Sequence, residues 1–396
     1  VAASTQVEMI ADFPFGKTAT PAKAPPPAGG HPTSSTMTVS NIVFLILGLV
    51  LLVGGAEYLV RGAARLASAA GVSSLVVGLT VVAFGTSSPE LAVSVVAAFK
   101  GQADLAIGNV VGSNIFNILF ILGLSAVIIP LVVAQQLVRF DVPLMIGVSF
   151  LLLLLGLDGN IGRFDGILLF GGVLTYTIFL ILQSRKESSA EVKAEYEDEF
   201  GSGKDSPAWL KNISLVILGL VGLVIGSKWL VDSAVSIAQA FGVSELIIGL
   251  TIVAAGTSMP EVATSVVAAL RGERDIAVGN VVGSNIFNIL CVIGLSSIVS
   301  PSGVAISETA LRFDIPVMIA VAVACLPVFF AGYRITRLNG VVFLLFYAAY
   351  LVYLIFTAMQ HQALGIYQTA LFHYALPLAA VALVYCTWKG FRERTA

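Results

Sequence analysis

The chain has 396 residues, of which 57% are hydrophobic and 11% charged, whereas soluble globular domains carry roughly 25% charged residues. So apolar a chain cannot cover itself with polar surface, so most of it faces a lipid bilayer or other apolar helices. A net charge of −2 gives no footprint for a nucleic-acid partner.

Residues 1–39 are rich in Ala, Pro, Thr and Ser and include the run Pro25, Pro26 and Pro27. They lack the basic start and apolar stretch of a signal peptide and read as a disordered tail, with Met37 as the native start. Apolar runs able to cross a hydrocarbon core of about 30 Å follow near 41–62, 73–99, 104–130, 140–157 and 164–183. A polar, acidic segment at 185–208 reads as a solvated cytoplasmic linker. Further runs lie near 209–238, 244–270, 275–299, 313–332 and 338–358, and an eleventh near 366–388 falls in the C-terminal segment 359–396.

Residues 78–125 and 249–296 align without a gap at an offset of 171, with 34 of 48 positions identical. The units 40–184 and 209–358 therefore each contain five helices. An odd number of spans makes the second unit enter the membrane from the opposite side. Allocating every Lys and Arg to loops with an outside N-terminus puts 15 inside and 6 outside, as the positive-inside rule favours. The expected fold is an all-α polytopic membrane protein of two inverted five-helix repeats plus an eleventh C-terminal helix, N-terminus out and C-terminus in.

Two motifs recur. The first is Gly85-Thr86-Ser87-Ser88-Pro89-Glu90, with its twin Gly256-Thr257-Ser258-Met259-Pro260-Glu261. Pro89 and Pro260 suit the first position of a new helix, after a Ser or Thr able to cap it, so each span reads as two half-helices. The break is expected to free the carbonyls of Ala83, Thr86, Ala254 and Thr257. Glu90 and Glu261 have no Lys or Arg in the neighbouring apolar sequence. An ionised glutamate at membrane depth costs about 2.5 to 3.5 kcal/mol on insertion scales, so a bound cation is the expected partner.

The second motif is Gly108-Asn109-Val110-Val111-Gly112-Ser113-Asn114-Ile115-Phe116-Asn117, repeated at 279–288. Ser113 and Asn117 share a helix face, as do Ser284 and Asn288. Gly108, Gly112, Gly279 and Gly283 read as positions of close helix packing. For Asn109 and Asn114 interhelical hydrogen bonding and ion contact stand level. Asp104 and Asp275 read as helix caps, the thrice-used Arg-Phe-Asp at 139–141, 163–165 and 312–314 as an interfacial anchor, and Cys291, Cys325 and Cys386 as packing residues. His31, His361 and His373 lie outside the repeated unit, leaving oxygen ligands to do the chemistry. Two carboxylates, carbonyls, the hydroxyls of Ser87, Ser258, Ser113 and Ser284, and the amides of Asn117 and Asn288 suit Ca²⁺, which takes six to eight oxygens in flexible geometry, better than Mg²⁺. The same oxygens can hold Na⁺ instead. An empty site would carry two unpaired charges, which favours obligatory exchange over uniport.

These paired motifs resemble the alpha-repeats of the calcium/cation antiporter superfamily, and Gly-Thr-Ser-x-Pro-Glu is similar to its prokaryotic sodium/calcium exchanger branch. The resemblance implies a non-enzymatic antiporter in a prokaryotic inner membrane, functional as a monomer, with no cofactor. It implies alternating access, with Ca²⁺ on Glu90, Glu261 and the backbone oxygens of Thr86 and Thr257. Ser87, Ser258, Ser113, Ser284 and the carbonyls of Ala83 and Ala254 would serve Na⁺. Potassium-dependent relatives carry aspartate where this chain has Asn288, which points to potassium independence. A Ca²⁺/H⁺ antiporter is the nearest rival, since a buried glutamate can carry a proton, although that branch typically reads Gly-Asn-Ala-Thr-Glu. A cation channel is the reading from another class.

Overall fold

The structure, a computed structural model, describes residues 39–187, 209–330, 332–379 and 381. The tail 1–38, most of the acidic linker, Cys386 and the end of the eleventh expected span lie outside the described residues.

In the first repeat, α1 (Val39–Ala70) is followed by a broken span, α2 (Ser74–Thr86) and α3 (Ser88–Phe99), which meet at a bend of 48°. Then come α4 (Ala103–Ile128), α5 (Leu137–Asp158) and α6 (Arg163–Glu187). The second repeat runs through α7 (Trp209–Ala240), α8 (245–256), α9 (Met259–Leu270), α10 (Arg274–Val299), α11 (Ala310–Phe330) and α12 (Arg337–Ala358). Among the described residues eight helices are long and apolar enough to cross a membrane, and the α2–α3 pair makes a ninth span. The α8–α9 pair occupies the matching place in the second repeat. A last helix, α13 (364–375), falls in the eleventh expected span.

Four two-residue strands fix the relation between the halves. β1 (Leu131–Val132) precedes α5 and β2 (Asn160–Ile161) follows it, while β3 (Val304–Ala305) precedes α11 and β4 (Arg334–Ile335) follows it. β1 pairs antiparallel with β4, and β2 with β3. Each pair takes one strand from each repeat. Because α5 leads from β1 to β2 and α11 from β3 to β4, the two helices run in opposite directions between the same two ends of the molecule. The repeats are therefore inverted.

Glycine governs the tightest crossing, between α1 and α7. A Cβ on Gly219 would lie 2.5 Å from Leu59 N and 2.7 Å from Gly55 O, and one on Gly48 would lie 2.7 Å from Leu230 N. Side chains are excluded there, so the two backbones touch and the helices act as one unit. α10 forms the centre, with its most apolar window wholly buried, whereas α1, α7 and α12 turn Leu, Ile and Val outward as lipid-facing helices do.

Several expectations change. The Asp141 carboxylate is fully buried and accepts a hydrogen bond from Tyr176 Oη at 2.9 Å, so this copy of Arg-Phe-Asp ties α5 to α6 and is not an interfacial anchor. In the 163–165 copy, Asp165 Oδ2 accepts from Gly162 N–H at 2.9 Å at the start of α6, while Phe164 is exposed. Asp104 and Asp275 lie inside the first turns of α4 and α10, where they oppose the positive helix end, and Gln102 and Glu273 hold the cap positions. Cys291 and Cys325 are buried among apolar neighbours, in keeping with packing.

Candidate ion-binding site

Both broken spans are prepared by the same local chemistry. A π-helical stretch precedes each break, Gly78–Val82 in α2 and Gly249–Val253 in α8, and proline follows it in the first turn of α3 and α9. π-Turns recur at Asn117–Leu122 and Asn288–Ile293. Such distortions gather at functional sites because they re-aim side chains without ending the helix. Asn117 and Asn288 stand at their first residues.

The breaks bring Glu90 and Glu261 to the centre, and both are completely buried. Ser87 and Ser258 stand at the N-cap positions of α3 and α9, but their side chains make no cap hydrogen bond. Instead each crosses to the other repeat: Ser258 Oγ donates to Glu90 Oε1 at 2.8 Å, and Ser87 Oγ donates to Glu261 Oε1 at 2.8 Å. Ser258 has one proton, so its 3.0 Å contact with Ser113 Oγ carries the proton of Ser113. The opposing serine, Ser284, is buried with no hydrogen-bond partner.

A ring of asparagines surrounds the carboxylates. Thr86 Oγ1 donates to Asn280 Oδ1 at 3.0 Å, and Thr257 Oγ1 donates to Asn109 Oδ1 at 3.2 Å. Those amides turn their Nδ2 groups to Ser265 Oγ and Ser94 Oγ, both at 2.9 Å. Asn114 and Asn285 each donate to the backbone carbonyl of the other at 3.2 Å. Asn117 Nδ2 donates to Asn285 Oδ1 at 2.9 Å, and Asn288 Nδ2 donates to Asn114 Oδ1 at 3.0 Å. The choice left open for Asn109 and Asn114 thus falls to interhelical bonding.

The remaining atoms define the site. Glu90 Oε2, Glu261 Oε2, Asn117 Oδ1, Asn288 Oδ1 and Ser284 Oγ are buried without a hydrogen-bond partner. Four of the five are pure acceptors, and no ion pair reaches either glutamate among the described residues. A buried carboxylate oxygen without a donor is costly, and a cation bound among these acceptors would offset that cost. The residues present therefore fit an oxygen-ligated metal ion.

Ala83 departs from expectation. Its carbonyl is not released by the break, since it accepts the Ser87 N–H at 3.0 Å. Ser94 and Ser265, which orient the ring, went unremarked in the sequence. The signal was there, because both are identical at the 171 offset and lie one turn beyond Glu90 and Glu261.

The two halves differ in packing. A Cβ on Gly283 would lie 2.7 Å from Leu79 O, and one on Gly279 would lie 3.1 Å from Leu75 O, so α10 sits directly on α2. The twins Gly108 and Gly112 have nothing within 4 Å, so the expected close packing is absent on α4. Thr86 and Asn280 are fully buried while Thr257 and Asn109 are partly exposed. The centre is closed between α2 and α10 and opens between α4 and α8, toward the β2–β3 end.

The family model described as sodium/calcium exchanger protein matches residues 40–184 and 211–356. The chain belongs to the sodium/calcium exchanger family. It is 39% identical over 320 residues to the putative antiporter CaxA of Alkalimonas amylolytica, covering 80% of this chain and 98% of that one. It is 34% identical over 351 residues to the sodium/calcium exchanger MaX1 of Methanosarcina acetivorans, covering 81% of this chain and 100% of that one. Among solved structures it resembles the sodium-calcium exchanger NCX_Mj with a TM-score of 0.67 at 31% identity, over 79% of this chain and 97% of that one. As a member of this exchanger family the protein is an integral membrane antiporter with ion substrates.

Proposed function

We propose that this family member exchanges Na⁺ for Ca²⁺ by alternating access at the Glu90–Glu261 centre. The observation that carries this is the set of orphaned acceptors. Two carboxylate oxygens, one from each repeat, balance one divalent cation. Asn117 Oδ1, Asn288 Oδ1 and Ser284 Oγ, with the Thr86 and Thr257 carbonyls, supply the neutral oxygens that calcium coordination requires. Removing Ca²⁺ leaves two negative charges in a low-dielectric core, so Na⁺ must replace it before the centre can be exposed to the other side. The hydroxyls of Ser87, Ser258 and Ser113 and the carbonyl of Ala254 surround those Na⁺ positions, while the Ala83 carbonyl is engaged by the Ser87 N–H. Thr86 and Thr257 hydroxyls are spent on asparagines, which leaves their backbone oxygens for the ion.

The ions are substrates in this reading, no covalent step is required, and one chain forms a complete centre. The Lys and Arg distribution favours a cytoplasmic linker, in which case the α4–α8 opening faces outward, in a prokaryotic inner membrane.

Calcium uptake into proteoliposomes tests the proposal. An outward Na⁺ gradient is expected to drive uptake, without K⁺, and Glu90→Gln or Glu261→Gln is expected to abolish it. Uptake that ignores Na⁺ and follows a proton gradient would overturn the coupling in favour of Ca²⁺/H⁺ exchange. Downhill flux with no counter-ion would indicate a channel.

A further inference from the structure

Outside the ion centre, an ion pair joins the two repeats. Arg271, at the end of α9, grips Glu57 on α1: Nε donates to Oε2 at 2.7 Å and Nη2 meets Oε1. Arg61, one turn along α1, also reaches Oε1. Glu57 is 21% exposed, and the two-pronged guanidinium contact gains geometric specificity that a lysine cannot reproduce.

The internal repeat supplies its own control. At the 171 offset Glu57, Arg61 and Arg271 correspond to Lys228, Asp232 and Lys100. The position that meets Arg271 attractively in one half is a lysine, Lys228, in the other, where the counterpart of Arg271 is Lys100, and the acid Asp232 is one turn on beside Lys228. Lys100 and Lys228 are exposed, and among the described residues neither makes an ion pair. Packing follows the charges: α1 lies along α9, whereas α7 has no comparable packing against α3. Since α1 and α7 are fused backbone to backbone, this pair leans to one side as a unit.

We propose that Glu57 and Arg271 form a latch that holds the α1–α7 pair against α9, keeping the centre open toward the β2–β3 end, and that exchange requires this ion pair to break. The proposal rests on the alternating-access reading. Exchanging the roles of the two repeats would carry α7 onto α3 and bring Lys100 toward Lys228. The present arrangement sets a two-pronged guanidinium directly on a carboxylate, whereas the mirrored one would set Lys100 against Lys228, with the one acid, Asp232, a turn away and already beside Lys228, which biases the resting protein toward the β2–β3 opening.

The test uses the full chain in proteoliposomes with the native cysteines replaced and Asp104→Cys as the reporter, an exposed position in the first turn of α4 whose twin Asp275 on the closed side is only partly exposed. The readout is the labelling rate with a membrane-impermeant thiol reagent added on the β2–β3 side. Glu57→Gln or Arg271→Gln is expected to slow labelling on the order of five-fold, the loss of one partly buried ion pair. The charge swap Glu57→Arg with Arg271→Glu is expected to restore it. Lys228→Glu leaves the latch intact and lies on an exposed surface; by giving Lys100 a partner it is expected to slow labelling as well. Unchanged labelling in both single variants overturns the latch, as does a swap that labels as slowly as the singles. Sodium-driven uptake on the same vesicles reports the exchange reading separately, since labelling needs no ion gradient.

Discussion

Ser258 donates its hydroxyl to Glu90 Oε1 across the boundary between the repeats at 2.8 Å. Each carboxylate is thus oriented by the broken helix of the opposite half. One oxygen is fixed by a serine and the other is left for the ion.

Ser258→Ala removes that bond and the Ser113 contact together. Hydrogen bonds to charged groups contribute about 1.5–3 kcal/mol, so the apparent affinity for Ca²⁺ is expected to weaken roughly 10- to 100-fold with assembly intact. Calcium titration of uptake would show it, and an unchanged half-saturation would refute the assigned orientation.

Asn288→Asp replaces an amide whose Nδ2 donates to Asn114 Oδ1 and adds a third charge to a site where two balance Ca²⁺. Without ions the variant is expected to melt several degrees lower, since a buried unpaired charge costs several kcal/mol. Monovalent cations are expected to stabilise it more than they stabilise the parent. Thermal unfolding in detergent across ion conditions measures both effects.

Gly283→Ala and Gly108→Ala make a matched pair. The first puts a methyl 2.7 Å from the Leu79 carbonyl oxygen, and the second meets nothing within 4 Å. Overpacking costs typically 1–3 kcal/mol, so Gly283→Ala is expected to be less stable while Gly108→Ala melts as the parent does. If the α4–α8 gap closes during exchange, Gly108→Ala also slows turnover, which separates the static measurement from the functional one.

Gly219→Ala tests the α1–α7 unit. Its Cβ would meet backbone atoms at 2.5 and 2.7 Å, whereas Gly54→Ala faces open space. The first is expected to lose folded protein by size-exclusion chromatography and the second to match the parent; equal behaviour would contradict the crossing.

Much of this was legible in the sequence, because duplication turned single residues into pairs. Glu90 and Glu261, the broken spans and the inversion all follow from the 171-residue offset, apolar run lengths and an odd helix count. The carbonyl of Ala83 was misread because a proline at the start of α3 interrupts the helix only beyond it, and the Ser87 N–H still reaches back. The Asp141–Tyr176 bond was invisible for a different reason: the partners sit on separate helices, and nothing in an Arg-Phe-Asp motif near a membrane boundary says which acid turns inward. The unequal packing of Gly108 and Gly283 was beyond any reading of identical motifs, since it belongs to the conformation and not to the residues.

The strand pairs carry one more consequence. β1 with β4 and β2 with β3, Asn114 with Asn285, and Ser87 and Ser258 with opposite glutamates are all contacts in which position i of one half meets position j of the other and the reverse is also made. That is the signature of an isologous two-fold interface. A single repeat carries a face complementary to itself, so two unfused copies inserted in opposite orientations would assemble the same centre, and the covalent linker contributes stoichiometry and orientation to a structure that symmetry alone can close.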